Sequence, residues 1–181
     1  MSKIGKKNII IPKESSVKIE GDSLTITGPK GSKSLTINDK IFSSKVSENN
    51  EFQILPLNKK IDKKTSIMWG TYRSLINNAV MGVSQGHEKI LNLSGVGFRA
   101  NIKGEILNLQ IGFSHDVNFN IPKEVKITVE KQTTIKINGV DKDLVSKIAS
   151  DIKNLKPVEP YKGKGIKERG QFVLRKEGKK K

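Results

Sequence analysis

The sequence predicts an α+β protein: two similar small domains from an internal duplication, each an antiparallel sheet with one packed helix, plus an extended basic C-terminal tail. Three observations predict it. An alternating hairpin pattern occurs twice, 83 residues apart. Each copy runs through further alternating segments into one amphipathic stretch at helical spacing. Positive charge gathers at the two ends of the chain rather than over its body.

In the first copy, residues 17–27 read VKIEGDSLTIT. Val17, Ile19, Leu24 and Ile26 alternate with polar residues around Gly21-Asp22, which is strand, turn, strand. The GPKG at 28–31 is a turn, because Pro presets φ and Gly tolerates positive φ. Strands are expected at 34–37 and 52–55. A helix is expected over 63–81, with Met68, Tyr72, Leu75, Ile76, Ala79 and Val80 on one stripe. Asp62 or Thr65 is placed to cap it, and Gly82 to end it.

The second copy repeats this order. Residues 100–111 read ANIKGEILNLQI, so Gly104 stands for Gly21, Leu107 for Leu24 and Leu109 for Ile26. GFSHD at 112–116 is the turn, and strands follow at 117–121, 125–129 and 134–137. A helix is expected over 142–155, with Leu144, Ile148, Ile152 and Leu155 as its stripe. Asp141 is its N-cap and Pro157 its stop. The domain expectation is a first α+β repeat with a basic N-terminus over 1–82, a second over 83–156, and a basic tail over 157–181.

Composition excludes several classes of function. The chain has no cysteine, so no disulfide framework or Cys-based metal site is open to it. Its two histidines, His87 and His115, are too few for a histidine-built zinc site. The longest apolar run, residues 9–11, is too short for a membrane span or a signal core, so a soluble, non-secreted chain is expected. Of the net charge of +16, residues 1–13 carry +4 and residues 153–181 carry +8. The 139 residues between them carry only +4. A nearly balanced body with two basic ends points to a polyanionic partner, and glycines stand where a membrane-bound helix would need its apolar face.

No motif carries catalysis or a cofactor. GVGFRA at 95–100 fits a dinucleotide fingerprint in letters, but a strand follows it where a helix N-terminus is required. Ser114, His115 and Asp116 are consecutive, and neighbours in extended chain point to opposite faces, so they cannot relay hydrogen bonds as a triad does. No enzyme, cofactor or metal site is expected.

The informative stretch is PVEPYKGKGIKERG, residues 157–170. Glycine lets backbone amides approach phosphate closely, and lysine supplies a mobile point charge. Tyr161 offers a ring to stack on a base or ribose. Pro157 and Pro160 stiffen the exit from the second helix. Arg169, Arg175 and Lys176 continue the charge. Nucleic-acid contact is the reading these residues support, with order in the tail from Pro160 onward expected only on RNA.

These residues resemble a known family, the sixth protein of the large ribosomal subunit in its bacterial form. The match covers essentially the whole chain. It rests on EPYKGKGI at 159–166, GPKG at 28–31, GTYRSLINNAVMGVSQG at 70–86, LSGVGFRA at 93–100 and GFSHDV at 112–117. The resemblance implies a structural, non-catalytic protein that binds large-subunit ribosomal RNA near the stalk base. Neighbouring ribosomal proteins, and translation GTPases docking nearby, are then its partners, in a cytoplasmic ribosome or an organellar one. Carried over by position, RNA contact falls on Tyr161, Lys162, Gly163, Lys164, Gly165 and Lys167, with Lys156 and Arg99 beside them. The chain departs from the family at Lys167-Glu168, where Arg-Tyr is usual, at Val158 and at Asp116. From the residues alone, a free-standing basic nucleic-acid-binding module remains the other class.

Overall fold

The computed structural model describes residues 2–47, 50–58 and 62–178. The chain forms two compact units: the described residues of Met1–Gly86 with Val140–Lys142, and His87–Gly139 with Asp143–Lys181. All strand pairings among the described residues are antiparallel.

The first unit holds β1 (Ile9–Ile10), β2 (Ser16–Glu20), β3 (Ser23–Gly28), β4 (Gly31–Thr36), β5 (Phe42–Ser47), β6 (Glu51–Pro56) and α1 (Lys63–Ser84). Its β layer is divided into two sheets, ordered β2-β3-β4 and β1-β6-β5. Leu24 and Ile26 of one sheet, and Phe52 and Ile54 of the other, are buried against Trp69, Ile76, Val80 and Val83 of the helix.

The helix runs one turn further than the sequence suggests. Gly82 is buried inside it, and Gln85 is the C-cap. Asp62 is the N-cap residue but makes no side-chain cap bond. The buried stripe begins at Trp69, whose Nε1 donates to the Ile54 carbonyl at 2.7 Å. That bond lets the largest side chain enter the core with its polar atom satisfied. The expected Leu75 turns outward instead, into a shallow hollow with Ile4 and Ile67.

The second unit holds β7 (His87–Ser94), β8 (Arg99–Lys103), β9 (Ile106–Gln110), β10 (Val117–Asn120), β11 (Val125–Glu130), β12 (Thr134–Gly139), α2 (Lys142–Leu155) and β13 (Gly165–Glu168). The sheets are ordered β8-β9-β10 and β11-β12-β7-β13. Val145, Ile148, Ala149 and Ile152 of α2 close the core, with Leu144 and Leu155 packed at its margin.

The 83-residue offset holds in three dimensions. Adding it to β2, β5 and β6 gives β8, β11 and β12 to the residue. Gly21 and Gly104 occupy the same hairpin turn with φ of 56° and 63°, a left-handed backbone that glycine adopts without steric cost. The tetrapeptide IPKE also occurs twice, at 11–14 and 121–124, but the first copy follows β1 and the second lies between β10 and β11, so this shorter repeat does not preserve element order.

The copies part company at the helix. In the first, residues 73–84 are the last three turns of α1. Their counterparts, residues 156–167, leave the helix and form a loop and most of β13. Pro157 and Pro160 stand where the first copy has Ser74 and Asn77. Proline lacks the helical donor, and it biases the preceding residue away from helix, so α2 stops at Leu155. Val83 and Ile166 are equivalent positions, both fully buried, one on a helix and one on a strand.

Candidate nucleic-acid interface

The basic stretch 156–169 is built into the second unit at both ends. Ile166 donates its amide to the Lys156 carbonyl at 2.9 Å, and Arg169 donates to the Ile90 carbonyl at 2.9 Å. Between them β13 pairs with β7, setting Ile166 opposite Leu93 and Lys167 opposite Asn92. Full burial of Ile166 contributes roughly 1.5–3 kcal/mol. The expectation of order only on RNA therefore does not hold for residues 165–168. One isoleucine among basic residues meets an open strand edge, and the apolar burial fixes it there. Residues 171–178 have no regular secondary structure.

Glu168 fastens the strand. Its carboxylate accepts from Lys153 Nζ at 3.0 Å and from Lys89 Nζ at 3.1 Å, one lysine on α2 and one on β7. These two bonds, Lys153 first, hold its carboxyl below the usual glutamate range. Glu168 shares a face of β13 with Ile166, and alternation turns half-buried Lys167 to the other face.

The loop between α2 and β13 is closed on itself. Glu159 donates its amide to the Lys164 carbonyl at 2.8 Å, and Gly163 donates to the Glu159 carbonyl at 3.0 Å. Tyr161 and Lys162 are left exposed at its tip. Gly165 enters the strand at φ 139°, and a Cβ there would stand 2.7 Å from the Pro157 oxygen and the Val158 Cα. Only glycine fits so close an approach.

The chain then returns to the loop. Lys176 donates its amide to the Pro160 carbonyl at 3.0 Å. The Arg175 guanidinium lies about 3.3 Å from where a Cβ of Gly163 would be. The stretch holding Arg175 and Lys176 is thus brought against the loop that carries Tyr161, Lys162, Gly163 and Lys164. Lys156 lies at the loop's base with its Nζ 4.6 Å from the centre of the Phe113 ring. Arg169 is exposed beyond β13. Arg99 is exposed on β8 opposite Gln110, and it is not among the residues lining the hollow beside this loop.

That hollow, of about 540 Å3, is lined by Val96, Phe98, Ile111, Gly112, Lys156, Pro157, Glu159 and Lys164. Three glycine-bearing segments meet here, those around 95–98, 112 and 156–165. Phe113, next to Gly112, is 46% exposed and stacks on His115 without lining the hollow.

The sequence pattern of the family described as "Ribosomal protein L6" matches residues 11–86 and again residues 94–169. The chain belongs to the ribosomal protein L6 family. Named relatives agree. It is 44% identical over all 181 residues, and the full length of both chains, to "Large ribosomal subunit protein uL6" of Beijerinckia indica subsp. indica. It is 45% identical to the protein of that name from Staphylococcus epidermidis, over 99% of this chain and 98% of the relative. The two matched stretches of the L6 pattern are themselves 83 residues apart, so the family is built on the same duplication. The second stretch runs through the loop and β13 and ends at Arg169, so the L6 pattern includes the fastened part of the basic segment. Membership bears out the expectation of a structural, non-catalytic chain. No helix among the described residues is long and apolar enough to cross a membrane.

Proposed function

We propose that this L6-family chain is a structural component of the large ribosomal subunit, in a cytoplasmic ribosome, and that it grips large-subunit ribosomal RNA through the second unit. The relatives are named as large-subunit proteins, which supports the subunit. The carrying observation is the return of the C-terminal segment to the loop: the bond from Lys176 to Pro160 puts Arg175 beside Gly163. Four cations and Tyr161 are then carried by two stretches of chain that meet at this loop. Lysines on a closed loop lose little further freedom on binding, so their charge goes into neutralising phosphates and releasing counterions. A deep, narrow RNA major groove leaves shape and backbone, rather than base sequence, as what this surface reads in duplex. Location near the stalk base, beside neighbouring ribosomal proteins and the docking ground of translation GTPases, follows from the resemblance.

The test is binding to protein-free large-subunit ribosomal RNA across salt concentrations. If about five phosphates are engaged, affinity falls with a log–log slope of roughly −3.5 to −4.5. Replacing Lys162, Lys164 and Arg175 together by alanine should make the slope less steep by roughly 2 to 3. An unchanged slope places the grip elsewhere. A free-standing nucleic-acid module would bind duplex DNA comparably and would leave the large subunit on a high-salt gradient.

A further inference from the structure

We propose that the first unit carries a second grip on ribosomal RNA: a rigid N-terminal hook, residues 2–8, that sets Lys3, Lys6 and Lys7 against phosphates of the RNA backbone. The proposal rests on the RNA-binding reading above and adds to it a site in the other half of the duplication.

These three lysines stand on a segment that is folded against the unit rather than trailing from it. Gly5 is buried against the Trp69 ring, where a Cβ would lie 2.6 Å from the nearest ring atom. Its amide donates to Ser2 Oγ at 3.1 Å, and the Lys7 amide donates to the Ile4 carbonyl at 3.1 Å. From α1, Arg73 donates through Nε to the Lys7 carbonyl at 3.2 Å and through Nη2 to the Asn8 carbonyl at 3.3 Å. Asn8 donates to the Glu51 carboxylate at 2.7 Å and accepts from Gln53 at 2.7 Å. All of these ties use the backbone, Ser2 or Asn8, so Lys3, Lys6 and Lys7 keep their side chains exposed. None of the three makes an ion pair among the described residues.

Like charges on a loose arm can spread apart, whereas these are held together within residues 3–7 with no acid between them. In the second copy the matching place is plain strand. There β1 pairs with β6 as β7 pairs with β12, but β7 has eight residues and β1 has two. The chain ahead of β1 forms the hook instead, and Gly5 and Arg73 hold it. Fixed, unpaired cations suit a polyanion, because each loses only its own side-chain freedom on neutralising a phosphate. The other occupant is an acidic patch of a neighbouring protein. Lysine is a mobile point charge that serves a phosphate backbone, while a planar carboxylate is matched better by a guanidinium fork. The one guanidinium at the hook, Arg73, is turned to backbone carbonyls, so the free charges are all lysine and RNA is favoured.

The full-length chain carrying Lys3→Ala, Lys6→Ala and Lys7→Ala is compared with the unaltered chain and with the Lys162, Lys164 and Arg175 triple variant. The measurement is binding to protein-free large-subunit ribosomal RNA across salt concentrations. The three lysines are exposed, so their loss leaves the fold intact, which a thermal melt verifies. The hook variant should bind with a log–log slope less steep by roughly 2 to 3, and joining the two triple variants should add their effects. Arg73→Lys keeps the charge but loses the two-pronged hold on the hook, so it should bind roughly 2- to 12-fold more weakly at an unchanged slope. Full affinity in Arg73→Lys would overturn the rigid hook. Unaltered RNA binding by the hook variant, with weaker retention on isolated large subunits, would assign the lysines to an acidic protein neighbour and against RNA. An unchanged slope in the hook variant beside a flattened one in the loop variant would sink the hook and leave the second-unit grip standing. The reverse pattern would keep the hook and overturn the second-unit grip. No salt-dependent binding by the unaltered chain would bring down both.

Discussion

The amide of Ile166 donates to the carbonyl of Lys156 at 2.9 Å, joining the first residue past α2 to the strand that follows. This bond makes the intervening residues a closed loop rather than a free arm. Tyr161, Lys162 and Lys164 are then presented from a fixed base. Three consequences can be measured.

Gly165 is the tightest point of that closure. Gly165→Ala puts a methyl group 2.7 Å from backbone atoms of Pro157 and Val158, at a φ of 139° that L residues rarely adopt. The expected loss is about 1–3 kcal/mol of stability in the second unit. Denaturant unfolding followed by far-UV circular dichroism reads it. Trp69, the single tryptophan, belongs to the first unit and does not report on this site. An unchanged midpoint would mean the loop shifts freely and is not fixed by Gly165.

Glu168 links β13 to α2 and to β7. Its carboxyl is held below the usual range, so folding favours the ionised form. The stabilisation is then complete above the ordinary glutamate value of 4.5 and fades as pH falls through the lower folded value. Each partly exposed pair contributes about 0.2–1 kcal/mol. Glu168→Gln should therefore be less stable than the original at pH 7 and equal to it at strongly acid pH. Its effect on RNA is the sharper test. Removing a negative charge beside a cationic surface should tighten binding if charge alone matters. If Glu168 positions the loop, affinity falls instead, and tighter binding of the glutamine form would refute that role.

Where the chain can be cut follows from β13. Truncation after Gly170 removes Arg175 and Lys176 yet leaves Ile166 in the core. The shortened protein should melt near the original temperature and show a shallower salt slope. Truncation after Lys156 removes the strand and bares Leu91 and Leu93, so it should cost stability as well as affinity. Hydrogen exchange complements this: the Ile166 and Arg169 amides should exchange slowly in the free protein, having carbonyl partners. Fast exchange at both would mean that β13 is not formed in solution.

Much of the fold is readable from periodicity because strand alternation and helical spacing are properties of short windows. The second helix, at Lys142–Leu155, has the limits expected of it, since Pro157 punctuates it directly. Strands β5 and β7 were harder to see. FSSKVS has one buried residue, and HEKILNLS begins polar and reads as a boundary. β7 takes its structure from pairing with β12, more than 40 positions away, whereas β5 pairs with its sequence neighbour β6. The basic loop is legible by its charge, glycine and proline. The strand it feeds is not, because Ile166 is a lone apolar residue whose burial depends on the edge of β7, more than 70 positions away. Phe113 and Glu168 were hidden for the same reason: their partners Lys156, Lys153 and Lys89 come near only in three dimensions.

The departure of residues 156–167 from their helical twins at 73–84 has a consequence for how one ancestral half became two unlike ones. Nothing had to be inserted. The two copies spend the same twelve positions differently, one on helix and the other on a bend and an edge strand, while Val83 and Ile166 are both fully buried. A graft test follows: prolines at 74 and 77 would ask whether the first copy can adopt the bend and strand of the second.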